Sequence, residues 1–357
     1  MDTIEKLKVL TKYALFEKEK VPQIYAECVR EVCTPKGKMK VLKILQTTYC
    51  DKNCTYCMFR RDREETERVF ISPEELAKVF MLLYNKGVVK GLFLSSGVYK
   101  NPEFISEKMI DTVIILRKKY GYRGYIHTKI MPGVSLQTVE EAVKWSNRVS
   151  VNLEAPNEKR LKRIAKGKSI LNDMLNKIET ISKLLENYKG KDQITQIMVG
   201  TSDETDEELL KSAYYLYKRY KIKRVYYSAF FPVKGTPLES KPPTPKKREY
   251  RLYQADFLIR RYGFKPSEFN FTEGFLPMDR DPKEIWAEKH RDLYPVDINR
   301  ADYELLIRIP GIGPSTAKRI IEYRRYREIR SVEDLKKLKV NNKRSLKFIK
   351  FPQKSLF

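Results

Sequence analysis

Histidine is almost absent from this sequence of 357 residues, because only His127 and His290 occur. A metal site built from several imidazoles is therefore excluded, and histidine acid–base catalysis has few places to occur. The sequence also lacks any run of the ~18 apolar residues that a membrane-spanning helix needs. Its first residues show no apolar stretch typical of a secretion signal. These absences predict a soluble, cytoplasmic protein that does not bind a membrane.

Acidic residues are in the minority, with 46 Asp and Glu against 72 Lys and Arg, which gives a net charge of +26. Such an excess favours a polyanion as partner, because clustered cations gain affinity by displacing the counterions of phosphates. A solvated surface rich in Lys and Glu is the alternative explanation of the charge. Charge by itself leaves both open.

Cysteine is scarce and odd in number, with five residues, so a disulfide scaffold does not fit. Three of the five form a C-x3-C-x2-C array, Cys50-Asp-Lys-Asn-Cys54-Thr-Tyr-Cys57. Three thiolates on one short loop can hold three corners of an iron–sulfur cubane and leave one iron open. A structural zinc site needs a fourth ligand. Cys28 and Cys33 lie in a predicted helix, poorly placed for one metal, and are expected to be core or idle thiols.

Apolar β-like runs alternate with helical patterns about six times between residues 39 and 230, which predicts a parallel sheet with crossover helices. Chemistry in such folds lies at the carboxyl ends of the strands. Six units are fewer than a complete barrel requires. Four regions are predicted: an N-terminal helical segment (1–36), an α/β core (37–240), a connecting region that begins with a proline-rich break (241–290), and a small all-helical module with a basic tail (291–357).

The cysteine array, with Tyr56 before its last cysteine and a strand before its first, resembles the radical S-adenosylmethionine (SAM) superfamily. The resemblance implies a partial (β/α)6 barrel in which Cys50, Cys54 and Cys57 hold a [4Fe–4S] cluster. SAM would bind the open iron, and an external one-electron donor would reduce the cluster. SAM would then be cleaved to methionine and a 5′-deoxyadenosyl radical that abstracts a substrate hydrogen.

Further positions are similar to the SAM-binding segments of that superfamily. The residues after the second strand of the predicted core would receive the SAM amino group, a polar pair after the fourth would bind the ribose, and residues of the fifth and sixth strands would line the site. Ser95, Ser96 and Gly97 are the candidates after the second strand, and Asn152 and Glu154 are the polar pair. Gln196 and Ser228 are the candidates in the fifth and sixth strands. The polar pair is two residues apart, so on a regular strand both side chains share a face.

A second motif, Pro310-Gly311-Ile312-Gly313, stands between two predicted helices and resembles a helix-hairpin-helix DNA-binding motif. Amides at the glycine turn and at the start of the second helix would bind a phosphate. Residues assigned to this contact are Gly311, Ile312, Gly313, Ser315, Thr316, Lys318 and Arg319. A hairpin that docks another protein is the alternative.

Together with Leu153-Glu-Ala-Pro156, the stretch Phe230 to Leu238 and the stretch Met278 to Trp286, these motifs resemble a family of radical SAM proteins described as DNA modification or repair proteins. The implied function is radical modification or repair of a nucleic acid, with DNA favoured. The alternatives are a radical SAM enzyme acting on tRNA or other RNA, a non-catalytic Fe–S protein that binds nucleic acid, and an enzyme of peptides or small molecules.

Overall fold

The structure is a computed structural model that describes residues 5, 6, 9, 29–34, 37–340 and 342–352. It divides into two compact units. The first comprises the described residues up to Glu204 together with Tyr215–Thr244, and the second comprises Thr205–Tyr214 together with the described residues from Pro245 onward. Cys28 lies outside the described residues.

A seven-stranded sheet organises the first unit. Its strands are β1 Val29–Thr34, β2 Gly37–Leu45, β3 Gly91–Ser95, β4 Tyr125–Lys129, β5 Arg148–Ser150, β6 Asp192–Val199 and β7 Arg224–Ala229. They are ordered as in the chain, and β2 to β7 run parallel. The sheet curls into a half-barrel, which confirms the predicted fold class.

Helices connect the parallel strands, as crossover connections require. They are α1 Pro73–Asn85, α2 Pro102–Ile114, α3 Leu136–Trp145, α4 Glu158–Ile164, α5 Asn176–Leu185 and α6 Asp206–Tyr220. Ser72 starts α1 with a capping box, in which its hydroxyl accepts from the Glu75 amide and the Glu75 carboxylate accepts from the Ser72 amide. Local chemistry of this kind fixes where each crossover begins.

The segment 1–36, predicted to be helical, is a strand in its last part. Val29–Thr34 pairs antiparallel with β2, in register from Val29 opposite Leu42 to Thr34 opposite Gly37. Cys33 therefore stands in β1 and not in a helix. The exposed edge of β2 supplies the hydrogen-bond partners, which a local sequence pattern does not reveal. Gly37 has a φ of +110°, a conformation that favours glycine, at the start of β2.

The second unit is mostly helical beyond residue 245. It contains α7 Lys246–Tyr262, α8 Pro282–Lys289, α9 Tyr303–Arg308, α10 Pro314–Tyr323, α11 Val332–Lys337 and α12 Asn342–Ser345. Two short strands, β8 Val296–Asp297 and β9 Ile349–Lys350, also pair in parallel and are an addition to the all-helical prediction. Ile349 and Lys350, in the predicted basic tail, thus pair with β8 of the same unit.

The core of the second unit is aromatic. Phe264 packs edge-on against Trp286, and the Arg308 guanidinium lies 3.9 Å from the centre of the Phe264 ring. Glu268 pairs with that guanidinium at 2.6 Å. Within the described ranges, no helix has the length and apolar character needed to cross a membrane.

Candidate iron–sulfur and SAM site, and candidate nucleic-acid hairpin

The three array cysteines follow β2 on a loop that the first unit holds firmly. All three thiols are free, and Cys54 is buried. The side chain of Thr47 donates a hydrogen bond of 2.7 Å to the Val69 carbonyl, and Thr48 donates one of 2.7 Å to the Glu67 carbonyl. These bonds anchor the chain just before the first cysteine, so the loop starts from a fixed position.

Arg68 organises the same loop from the other side, a role that the sequence did not reveal. Its guanidinium donates to the carbonyls of Thr48, Phe59 and Arg60 at 2.7, 2.9 and 2.6 Å. One planar fork thus satisfies backbone groups before and after the cysteines. Nothing in the spacing around Arg68 distinguishes it from the other arginines nearby.

Backbone amides point at two of the sulfurs. The Val98 N–H donates to Cys50 Sγ and the Phe59 N–H donates to Cys57 Sγ, both at 3.4 Å. Hydrogen bonds to ligand sulfurs tune the potential of an iron–sulfur cluster. Three free thiols on one loop, two of them already accepting from amides, are a donor set that fits a [4Fe–4S] cubane.

Gly97 is needed for the approach of β3 to the cysteine loop. A Cβ at Gly97 would lie 2.1 Å from the Tyr49 carbonyl oxygen and 3.1 Å from the Cys50 Cβ. The Gly97 amide donates to the Thr47 carbonyl at 3.0 Å. Close backbone packing therefore accounts for the glycine.

Burial controls the acidity of these thiols. Desolvation raises the pKa of Cys54, and desolvation with the neighbouring Cys54 raises the pKa of Cys57 to about 12. Both thiols are therefore protonated at neutral pH when no metal is bound, and metal loading must release their protons.

A largely buried lysine lies beside the sulfurs, and sequence reasoning missed it. Lys168 Nζ is 3.8 Å from Glu154 Oε1, and its side chain is 11% exposed. Desolvation alone would lower the pKa of Lys168, but Cys54 and Glu154 outweigh it and the pKa is raised. Lys168 thus stays charged. It follows α4 without a motif that would have drawn attention to it.

Glu154 departs from the strand pattern that would place its side chain on the same face as that of Asn152. Its backbone is left-handed, with a φ of +64°, which breaks the two-residue alternation of a strand. Its buried carboxylate accepts from the Tyr56 hydroxyl and lies 3.9 Å from Lys129 Nζ in addition to Lys168. Burial, followed by this carboxylate, raises the pKa of Tyr56 well above its usual value.

A cavity of about 320 Å³ opens at the carboxyl ends of the parallel strands. The walls contain six of the predicted residues, namely Tyr56, Cys57, Ser95, Asn152, Gln196 and Ser228. Ser96, Gly97 and Glu154 are not part of these walls, and the buried Ser96 Oγ has no hydrogen-bond partner among the described residues. Aromatic rings of Phe59, Phe93 and Phe230 line the rest, so the cavity has both polar and stacking surfaces.

His127 lies outside this cavity lining. Its ring stacks on Phe93 at 4.2 Å and its Nε2 is 2.8 Å from Ser150 Oγ. Burial lowers the pKa of His127 well below its usual value, so the imidazole is neutral. The sequence indicated little histidine chemistry, and this residue packs in the core.

In the second unit, the hairpin between α9 and α10 has the geometry of a tight turn. Gly311 has a φ of +86°, Ile312 is buried, and Gly313 is the N-cap of α10 without a side-chain cap. Pro314 occupies the first turn of that helix. The first amides of a helix have no intrahelical acceptor, so this end of α10 can receive an anion.

The predicted phosphate contacts of α10 differ in their surroundings. Lys318 is exposed, as is Ser315, and Thr316 is partly exposed. Arg319 Nε and Nη2 instead donate to the Leu338 carbonyl at 3.1 and 2.9 Å. The guanidinium of Arg319 therefore ties α10 to the end of α11.

The family comparisons identify both parts of the chain. Residues 44–216 match the family model described as the radical SAM superfamily, and residues 294–347 match the helix-hairpin-helix motif. The cysteine loop and the central strands of the half-barrel thus match the radical SAM superfamily, a class of enzymes that uses a [4Fe–4S] cluster and SAM. The predicted enzyme class and cofactors are confirmed at this level.

Solved structures similar to this chain include HydG, a maturase of the [FeFe]-hydrogenase, with 15% identity, a TM-score of 0.49 and coverage of 61% of this chain and 49% of that chain. Methylornithine synthase has 19% identity, a TM-score of 0.49 and 60% coverage of both chains. A radical SAM methyltransferase from Sphaerobacter thermophilus has 14% identity, a TM-score of 0.45 and coverage of 63% and 72%. The chain spans about half the length of the first of these. No curated protein matches the sequence.

Proposed function

We propose that this protein is a radical SAM enzyme that modifies or repairs a nucleic acid, with DNA favoured over RNA. The observation that carries the proposal is the presence, in one chain of net charge +26, of a radical SAM region and a helix-hairpin-helix motif whose second helix has an uncapped N-terminus. The first unit would perform the chemistry, and the hairpin would hold the phosphate backbone.

Cys50, Cys54 and Cys57 would hold the cluster. The cluster, when bound, would supply the electron for reductive SAM chemistry, and SAM would supply the radical chemistry for hydrogen abstraction from the substrate. Ser95 would face the SAM amino group, Asn152 the ribose, and Gln196 and Ser228 the adenosine; all four line the cavity. Lys168 keeps a positive charge beside the sulfurs, and the aromatic walls exclude water from the reacting carbon.

The hairpin would position the substrate without reading its sequence. Amides at Gly313 and the first turn of α10 would donate to a phosphate, and Lys318 would add charge one turn later. A base in a duplex must leave the helical stack to reach an enclosed site. The electron donor would be external, since the array is the single C-x3-C-x2-C motif in the sequence.

Anaerobic reconstitution tests the first half of this proposal. The protein should bind iron and sulfide and, with dithionite and SAM, produce 5′-deoxyadenosine. Filter binding to DNA and RNA over a range of salt concentrations tests the second half, and affinity should fall steeply with salt. Binding without 5′-deoxyadenosine formation would favour a non-catalytic Fe–S protein, and tighter binding to RNA would favour an RNA substrate. Cleavage of SAM without nucleic-acid binding would overturn the choice of substrate.

A further inference from the structure

A cavity of about 290 Å³ in the second unit adjoins the hairpin. The hairpin itself, Gly311 to Gly313, forms one wall, and α7 contributes Phe257 and Tyr262 to another. Lys283, at the start of α8, also lines this cavity. We call this space the hairpin cavity. Because the hairpin is one wall of this cavity, a strand whose phosphate lay on the hairpin amides would have its adjoining sugar and base next to the opening.

The aromatic wall of the hairpin cavity is open to a planar ligand. Phe257 is 45% exposed, although it is a large apolar side chain on a helix of a folded unit. Its ring meets that of Tyr262 edge-on, with 5.7 Å between the centroids and 63° between the planes. The Arg260 guanidinium lies 5.9 Å from the centre of the Phe257 ring, and the edge-on pair with Tyr262 leaves the faces of that ring without an aromatic partner. Nucleobases stack on faces of this kind, and arginine adds cation–π contacts to such stacks.

Polar groups of the same cavity suit the edge of a base. Lys283 is buried, its Nζ donates to the Ile312 carbonyl at 2.6 Å, and it lies 4.6 Å from the centre of the Tyr262 ring. An ammonium has three donors, so this bond leaves capacity for a further acceptor. Base carbonyls and ring nitrogens are acceptors.

Charge in the cavity wall also favours part of a polyanion. Lys283 and Arg344 contribute positive charge, and Asp281 is the acidic residue of the wall. Arg344 is shared by two carboxylates, because its Nη2 lies 2.9 Å from Asp281 Oδ2 and its Nε lies 2.6 Å from Glu284 Oε1. Burial lowers the pKa of Lys283 to about 7, so an occupant attached to phosphate would stabilise the protonated form of this lysine.

We propose that the hairpin cavity binds one unstacked nucleobase of the strand whose phosphate the hairpin holds, with its ring on Phe257. This inference rests on the proposed function and deepens it. A base inside a continuous duplex cannot enter, because it would first have to leave the stack. The second unit therefore binds a nucleic acid with an unpaired nucleotide more tightly than the same duplex fully paired.

The test uses the full-length protein, a blunt duplex, and the same duplex carrying a one-nucleotide bulge of 2-aminopurine. The wild-type protein should prefer the bulged duplex, and the fluorescence of the 2-aminopurine should be quenched on binding. Phe257→Leu, which keeps apolar volume without a ring, should weaken bulge binding by about 10-fold and abolish the quenching. Phe257→Tyr should restore both. Leu293→Ala, an exposed apolar residue of the same unit outside the cavity wall, should change neither.

The outcomes separate this proposal from the function on which it rests. The cavity proposal would be overturned if the wild-type protein bound the two duplexes equally and if Phe257→Leu gave the same 2-aminopurine fluorescence as the wild type. Nucleic-acid binding itself would remain supported. Absence of binding to either duplex at low salt would overturn both. The salt dependence should be the same in Phe257→Leu and the wild type, because no phosphate contact is lost. A smaller dependence of affinity on salt in Phe257→Leu would show that the substitution disturbs the hairpin. That result would overturn the proposal that a base stacks on Phe257.

Discussion

Lys168 in the first unit and Lys283 in the second are both buried, yet their pKa values move in opposite directions. Lys168 stands beside Cys54 and Glu154, and its pKa is raised in spite of desolvation. Lys283 has a carbonyl and an aromatic ring as its near partners, and desolvation lowers its pKa to about 7 although Asp281 opposes it. Burial sets the cost of the charge, and nearby anions decide whether the protein itself meets that cost. One lysine has its counter-charge within the fold, and the other would gain it from a bound polyanion.

The cysteine loop beside Lys168 carries the proposed cluster ligands, so the largest expected effect comes from that loop. Cys57→Ala should abolish cluster binding and 5′-deoxyadenosine formation, because three thiolates are the minimum that the cubane needs here. Iron and sulfide analysis after reconstitution measures cluster binding, and chromatography measures 5′-deoxyadenosine. Cys28→Ala is the matched control and should leave both unchanged. A Cys57→Ala protein that retained the cluster would refute the ligand assignment.

Removal of Lys168 should destabilise the first unit. Lys168→Met leaves the Glu154 carboxylate buried with Lys129 at 3.9 Å as its remaining cation, and we expect a loss of about 3 kcal/mol in the free energy of unfolding. Urea unfolding of the metal-free protein measures it. The double variant Lys168→Met, Glu154→Gln should recover part of that loss. Additive losses would mean that the two side chains are not coupled.

Lys283 should make stability rise with pH, whereas a lysine in an ordinary ion pair makes stability fall as pH rises through its pKa. The pKa of Lys283 is about 7 in the folded protein and near its usual 10.5 when unfolded, so the unfolded chain binds more protons between these values. Stability relative to Lys283→Met should therefore rise by about 1–4 kcal/mol from pH 7 to pH 10. Urea unfolding of both proteins at several pH values measures the difference. A constant difference would show that Lys283 is not desolvated.

The smallest effects should separate two neighbouring cations of α10. Lys318→Ala should lower the salt slope of DNA binding by about 1 and leave stability unchanged, because its side chain is exposed. Arg319→Ala should leave the slope unchanged and destabilise the protein by about 1–2 kcal/mol, because the Leu338 carbonyl loses its donor. The reverse pattern would make Arg319 the phosphate contact.

Local signals predicted the parallel sheet with crossover helices and the cysteine loop, since strand and helix alternate and the three cysteines lie on one loop. The closure of the sheet into a half-barrel was implied by the resemblance to the radical SAM superfamily and not by periodicity. Helical periodicity and charge predict helices over Asp206–Tyr220 and Lys246–Tyr262, and the structure has α6 and α7 with these same bounds. The strand at Val29–Thr34 was missed because it depends on an edge of β2, a partner that local periodicity does not contain.

In the site, too, residues in sequence motifs could be predicted, and residues that act through contacts made by folding could not. Asn152 lies in the cavity wall, but Glu154 is turned away from the strand pattern by one left-handed residue. Lys168 and Arg68 act through contacts with residues brought near by folding, and neither belongs to a motif. Arg319 was assigned to phosphate by its place after the hairpin, and only the position of Leu338 reveals its structural role.

The left-handed backbone at Glu154 limits what evolution or a designer can place there. Its amide donates to Gln196 and its carbonyl accepts from Met198, so the strand neighbours hold that conformation. Among ordinary residues, glycine, asparagine and aspartate tolerate it best. Two lysines demand a negative charge at the same place. Aspartate meets both requirements, and the native glutamate meets the charge requirement with its strand neighbours holding the backbone. A saturation library at this codon should therefore return glutamate and aspartate and almost nothing else.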